Sequence, residues 1–97
     1  MITAIPLIFE VNGMQHSEIW SISAERISAF FASQDDVRQE GPRHYACGQC
    51  EVLIEVLPFR MVGRFHLPQT RVTFTGPDED RERLYHRFFL QFISAGG

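Results

Sequence analysis

Residues 50–93 constrain the fold most, because three alternating segments run directly into one amphipathic segment. The segment 50–56 alternates apolar and polar residues, and 59–67 and 71–75 do the same. Successive side chains on a strand point to opposite faces, so each segment predicts a strand with one buried face. The apolar positions of the first segment are Cys50, Val52, Ile54 and Val56. The sequence therefore predicts antiparallel strands followed by a C-terminal helix.

The helix is expected to start near Pro77, a residue suited to the first helical position. Asp78, Glu79 and Asp80 follow, where the positive end of the helix dipole favours carboxylates. Apolar residues then recur at helical spacing, which predicts a wide buried stripe. Its excess apolar surface suggests a homodimer interface. The stripe consists of Leu84, Tyr85, Phe88, Phe89, Phe92 and Ile93.

The N-terminal residues 4–22 are interpreted as a hairpin around Asn12-Gly13. A two-residue turn of this composition would pair Val11 with Met14 and Phe9 with His16. Residues 34–49 are polar and rich in glycine and proline, and they are interpreted as a long loop. Residues 23–33 leave two alternatives open. Ser23 could cap a helix, for which the alanines and charged residues have good propensity, or the segment could form a short strand.

Pro58 is expected to separate a strand at 50–57 from one at 59–67. In a tight hairpin, Glu51 and Glu55 would lie near Arg60 and Arg64, and cross-strand charge pairs would help to set the register. The alternative interpretation of the arginines is an anion-binding face.

Composition restricts the class of protein. The chain has 97 residues and a net charge of −3, with no lysine. This length suits one domain, 1–97. An acidic domain is a poor nucleic-acid binder, because that affinity comes mainly from neutralising phosphates. No apolar stretch approaches the roughly 20 residues that span a bilayer, and the start lacks a basic signal-peptide region. We expect a cytoplasmic protein without membrane insertion.

His44, Cys47 and Cys50 form the one group with metal-ligand chemistry, in the spacing HxxCxxC. Two thiolates at this spacing can share a zinc ion, but a structural zinc needs four ligands. The alternatives are a redox pair or two plain reduced cysteines. No phosphate loop or nucleophile elbow is present. The sequence therefore predicts a protein that is not an enzyme and has no cofactor.

The order of elements resembles the PilZ domain family over residues 4–93. The resemblance is carried by the turn at 19–31, the strands at 50–56 and 60–64, and the passage from Val72-Thr73-Phe74 into the helix. It implies a mainly β fold, a six-stranded antiparallel β-barrel with one C-terminal α-helix. It also implies that residues 26–32 form a strand, the alternative that we favour at this point.

Many PilZ domains bind cyclic di-GMP through an RxxxR motif and a D/N-x-S-x-x-G turn. No arginine precedes Arg26, Ser21 replaces the acidic or amide residue of the turn, and Arg26 replaces its glycine, whereas Ser23 matches. Loss of the clamp arginines removes charge-assisted bonds worth roughly 1.5–3 kcal/mol each. The resemblance thus implies a degenerate member that does not bind the nucleotide in the usual mode.

The function expected from this resemblance is a regulatory adaptor that acts by protein contact, with partners in type IV pilus or motility machinery. Its interaction surface would include Arg60, Arg64, Tyr85 and Phe89. One alternative is a cyclic di-GMP receptor with a non-standard site at Ser21, Ser23 and Arg26. Another is a zinc- or redox-linked domain using Cys47 and Cys50.

Overall fold

A computed structural model describes the backbone of residues 7–11 and 15–95 and the side chains of residues 15–93. Six strands and two helices follow one another along these residues. They are β1 Leu7–Val11, β2 Gln15–Trp20, α1 Ala24–Ala32, β3 Arg38–Gly41, β4 His44–Cys47, β5 Cys50–Val62, β6 Phe65–Thr75 and α2 Asp78–Ala95.

The strands form one sheet in the order β1-β2-β6-β5-β4-β3, and every pairing in it is antiparallel. Strands β1 and β3 lie at opposite edges and do not pair with each other within the described residues. The expected antiparallel, mainly β fold is confirmed. The closed barrel is wrong, because the sheet is open, and a second helix accompanies the C-terminal one.

Residues 24–32 form helix α1, so the strand that the resemblance implied at 26–32 is wrong. The Ser23 side chain accepts a hydrogen bond from the Arg26 backbone N–H at 3.3 Å, which caps the first turn. Ile27 and Phe31 are one helical turn apart and both are buried. Local helix propensity and capping therefore describe this segment correctly.

Two tight turns set the central hairpins. Gly48-Gln49 joins β4 to β5 and Gly63-Arg64 joins β5 to β6, and each glycine has a φ of 60°. Glycine with positive φ at the first central position is typical of a type II′ turn, which suits a two-residue hairpin loop. The chain therefore reverses at residues 63–64, and β5 continues through Pro58.

This position of the turn contradicts the predicted strand boundary at Pro58 and the predicted charge pairs. Glu55 lies opposite Arg71, 3.9 Å from its guanidinium. Glu51 lies 2.7 Å from the Nε2 atom of His44. The carboxylates thus have partners on strands other than those that the sequence predicted.

Two further predictions on local structure are corrected. The expected loop at 34–49 contains the hairpin of β3 and β4. In the N-terminal hairpin, Val11 lies opposite His16, so the register expected from a two-residue turn is wrong. The Asn12-Gly13 turn itself lies outside the described residues.

The core lies between α1, α2 and one face of the sheet. Aromatic rings occupy its centre: Phe88 of α2 lies 5.1 Å from Trp20, 5.6 Å from Phe31 and 5.5 Å from Phe74, measured between ring centroids. Full burial of one such side chain contributes roughly 1.5–3 kcal/mol. The predicted apolar stripe of α2 is buried at Leu84, Phe88 and Phe92.

Gly76 makes the junction between β6 and α2. Its φ is 147°, and a Cβ atom there would lie 2.6 Å from the backbone oxygen of Gln49. The chain then enters α2, where the Pro77 carbonyl accepts a hydrogen bond from the Arg81 N–H at 2.9 Å. Close approach of two backbones at this point requires a residue without a side chain.

Candidate protein-interaction site

Strands β5 and β6 extend beyond their neighbours in the sheet. Strand β4 pairs with β5 only as far as Leu53, and β2 pairs with β6 only from Thr70. Residues 56–69 therefore form a two-stranded hairpin with no described strand on either side. We call residues 56–69 the arm.

A β-bulge lies at the root of the arm. Leu57 pairs with Gln69 but Arg60 pairs with Leu67, so β5 contains one extra residue at Pro58-Phe59. Pro58 has no backbone N–H to donate, and proline is tolerated in strands at such irregularities.

Both faces of the arm carry exposed apolar side chains. Met61 lies opposite His66 and Val62 lies opposite Phe65, so these two pairs occupy alternate faces. The Phe59 ring lies 6.2 Å from His66, measured between ring centroids. The exposed fraction of the large apolar side chains ranges from 44% to 71%. They are Val56, Phe59, Met61, Val62 and Phe65.

The arm is also the cationic part of an acidic chain. Residues 56–70 contain Arg60, Arg64 and His66 and no aspartate or glutamate, whereas the whole chain has a net charge of −3. Neither arginine forms an ion pair with another described residue. An exposed apolar patch rimmed by polar groups marks an interaction surface.

A cavity of about 310 Å³ lies where the arm meets the start of α1. Val56, Pro58 and Phe59 line it from β5 and Pro68 lines it from β6. The cap Ser23 and the first helical residues Ala24 and Glu25 line it from α1. This volume is at the lower end of the range for small-ligand pockets. An apolar side chain of a binding partner would fit there.

The residues predicted for nucleotide binding lie around the start of α1. Ser21 is exposed, Ser23 caps the helix, and Arg26 is exposed on its first turn. The guanidinium of Arg26 lies 6.0 Å from the ring centroid of Phe92, within the range of a cation–π contact. Capping and this contact to α2 give Ser23 and Arg26 structural roles.

The predicted interaction residues separate into two groups. Arg60 and Arg64 lie on the arm and are exposed. Tyr85 and Phe89 are partly buried on α2 and pack against the core. Phe89 lies 6.0 Å from Trp20, measured between ring centroids. The structure does not bring these two groups into one surface.

His44, Cys47 and Cys50 do not form a metal site. Among the described residues, no group of three or more histidine, cysteine, aspartate or glutamate side chains is placed to hold a metal ion. His44 instead contacts Glu51. Cys47 donates to the Oδ2 atom of Asp36 at 3.5 Å.

The surroundings of both thiols oppose thiolate formation. Burial, with smaller contributions from Cys47 and Asp80, raises the pKa of Cys50 from 9.0 to about 11. Burial and the nearby Asp36 carboxylate raise the pKa of Cys47. The thiolate is the reactive form of cysteine, so neither thiol is activated for nucleophilic chemistry.

A buried polar network surrounds Glu18, and no sequence pattern predicted it. This carboxylate is 1% exposed. It accepts hydrogen bonds from Trp20 Nε1 at 3.0 Å and from the Tyr85 hydroxyl at 2.9 Å. The Nε2 atom of His16 lies 2.9 Å from it. Desolvation and the hydrogen bond to Glu18 raise the pKa of Tyr85.

Comparison with known proteins places this chain in a family. The sequence profile of the archaeal MoaD-like protein matches residues 15–97. The chain therefore belongs to the archaeal MoaD-like family, a family with the ubiquitin-like β-grasp fold. Among curated proteins, no relative matches the sequence. All pairings of the described strands are antiparallel.

The family assignment overturns the resemblance to PilZ. The regulatory adaptor function, the link to cyclic di-GMP and the two alternative functions are therefore wrong. Partners in pilus machinery have no support. MoaD-like small domains act through protein contact, so the broader expectation of a protein partner is retained. In the described part of the chain, no helix is long and apolar enough to cross a membrane.

Proposed function

We propose that this chain is a small sulfur-carrier protein of the ubiquitin-like type, which acts by binding partner proteins and is not itself an enzyme. The observation that carries the proposal is the match of residues 15–97 to the MoaD-like family. The arm supports it, because a carrier needs a surface through which partners bind it. We also propose a cytoplasmic location, since both cysteines are unpaired and cytosolic thiols are kept reduced.

The chemistry of the thiols narrows where a carried sulfur atom would be attached. Sulfur can be carried as a persulfide on cysteine or as a thiocarboxylate on a carboxyl group. A persulfide forms from a reactive thiolate, and burial raises the pKa of both Cys47 and Cys50. The proposal therefore places the sulfur on a carboxyl group.

Mass spectrometry of the intact protein, purified from its native cells without reductant, tests this function. We expect a fraction of the chains to be heavier by the difference between one sulfur and one oxygen atom, and to keep this mass in dithiothreitol. Fragmentation of the intact chain then identifies the residue that carries the additional sulfur.

The matched control is Cys47→Ala, which removes the more accessible thiol and should leave the heavier form unchanged. Chains that carry no additional sulfur would contradict the carrier function. Sulfur that dithiothreitol releases, or that fragmentation places on Cys47 or Cys50, would contradict the carboxyl assignment.

A further inference from the structure

We infer that the arm inserts into a cleft of the partner protein, and that this cleft has apolar walls and carboxylate side chains that face the arginines of the arm. The inference rests on the proposed function only in taking the partner to be a protein. It assigns the binding site to residues 56–69, and it assigns the chemistry of the surface that receives them.

The distribution of apolar side chains indicates a cleft and not a flat surface. Phe59 and Met61 lie on one face of the arm, and Val62 and Phe65 lie on the other. Contact with a flat surface would cover one of these pairs and leave the other in water. A cleft removes both pairs from water, and buried apolar area is the main favourable term in association.

Charge complementarity predicts carboxylate side chains inside the cleft, next to the arginines of the arm. Arg60 lies on one strand of the arm and Arg64 lies in its turn, and neither is neutralised by a described carboxylate. Because the whole chain is acidic, an acidic partner would be repelled by most of its surface and attracted by the arm. Complementary charge orients the two proteins and raises the rate at which they associate.

The cavity at the root of the arm indicates how far the arm inserts into the cleft. It lies between the bulge at Pro58-Phe59 and the start of α1, so a partner that encloses the arm reaches this cavity with the edge of its cleft. An apolar side chain at that edge would fill the cavity and fix the depth of insertion.

A second copy of this chain is a poorer occupant. A symmetric contact between two arms would bring the same surface of each copy together, so the arginines of both arms would share an interface to which neither arm contributes a carboxylate. A bilayer is also a poorer occupant, because the unpaired backbone groups along both edges of the arm would lose water without gaining partners.

Photocrosslinking in the native cells tests the inference directly. The photoreactive residue benzoylphenylalanine replaces Phe65 on the arm, and in the matched control it replaces His86, which is exposed on α2. We expect the Phe65 position to give one protein adduct that the His86 position does not give. The crosslinked peptide of the partner should lie in an apolar cleft that contains aspartate or glutamate.

Binding measurements with the purified partner then separate the contribution of charge to the affinity from the contribution of apolar contact. The double variant Arg60→Glu/Arg64→Glu should weaken binding about tenfold or more, and the affinity of the wild type should fall with added salt. Arg38→Glu is the matched control, because Arg38 is an exposed arginine on the opposite edge strand β3. It should leave the affinity unchanged, and Phe65→Ser should weaken binding without lowering the melting temperature.

Two crosslinking results would overturn the inference: a crosslinked dimer of this chain, or a crosslink in a neutral or basic surface of the partner. Sedimentation of the protein with phosphatidylglycerol vesicles, without any protein adduct, would also overturn it. The fourth contrary result is an equal loss of affinity after charge reversal at Arg38 and on the arm. The two proposals fail separately. A crosslink in an acidic cleft without additional sulfur on the chain contradicts only the carrier function, and sulfur without such a crosslink contradicts only the assignment of the arm.

Discussion

Cys47 and Cys50 lie opposite each other across the two-residue turn between β4 and β5, yet their surroundings differ. Cys50 is fully buried, whereas Cys47 is partly exposed and contacts Asp36. The spacing of the two cysteines is compatible with metal binding or redox chemistry. Burial raises the pKa of both thiols, so neither is activated. The spacing of the two cysteines does not reveal how deeply they are buried.

The stability of the protein should depend on pH through Cys50. Its pKa is raised from 9.0 to about 11 in the folded state, so folded molecules hold this proton more tightly than unfolded ones. The contribution to stability is complete below pH 9 and is lost as the pH rises through 11. We expect the free energy of unfolding to fall over this range, by at most about 3 kcal/mol from this thiol.

Urea unfolding at intervals of pH measures the effect. Cys50→Ala removes the titrating group and should flatten this part of the curve, whereas Cys47→Ala should retain most of the fall. Identical curves for the wild type and Cys50→Ala would show that the shift is absent.

Glu18 illustrates what residue patterns cannot predict. In an alternating strand a carboxylate is normally assigned to the wet face, but Glu18 is buried beside Trp20. Its other hydrogen-bond donor, Tyr85, is 67 positions away in the sequence. Such a network depends on tertiary contacts, which a local pattern does not contain.

At the scale of elements, the sequence predicted what depends on local periodicity. Helix α2 and the strand character of the segments around 50–56 and 71–75 follow from alternation and capping, and the structure has them. Helix α1 was also indicated locally by Ser23, but the resemblance to another family overrode that signal. Strand order, the open edges of the sheet and the turn at Gly63-Arg64 depend on pairing between distant segments.

The junction of β6 and α2 should tolerate no side chain at Gly76. Gly76→Ala places a Cβ atom 2.6 Å from the Gln49 oxygen in a backbone with a φ of 147°. Strain and overpacking should together lower the free energy of unfolding by about 3 kcal/mol. Thermal and urea unfolding measure this loss.

Gly63→Ala is the matched control for backbone strain. Gly63 also has positive φ, at 60°, but no atom lies within 4 Å of the position of its Cβ. Its substitution should cost only about 1–2 kcal/mol. Equal losses for the two variants would show that the contact with the β4–β5 turn is unimportant.

At the scale of the whole molecule, the principal extents are 42 × 26 × 23 Å, and the arm extends beyond the neighbouring strands of the sheet. Because the chain turns at Gly63-Arg64, Met61 and Phe65 lie on opposite faces of the arm, whereas the sequence predicted one strand over 59–67 with these residues on the same face. It could not predict that both faces are exposed, because alternation does not tell whether anything covers a face. The signal in the sequence for a projecting hairpin was the length of the segments that form β5 and β6, which is greater than the length of β2 and β4.

Hydrogen exchange should divide β5 and β6 into two parts. Backbone amides at 59–67 are paired only within the arm, whereas those at 51–53 and 71–74 lie between neighbouring strands on both sides. We expect faster exchange in the arm, since local opening is easier where few contacts must break. Mass spectrometry of exchanged peptides measures this, and uniform protection along both strands would contradict it.

Pro58 and Pro68 lie on the two strands of the arm, near the point where it leaves the sheet. Neither residue can donate a backbone hydrogen bond, so each interrupts the row of donors along its strand. Open strand edges beside exposed apolar side chains are common starting points for fibril growth. We therefore expect the two prolines to oppose the growth of fibrils through the exposed edges of the arm.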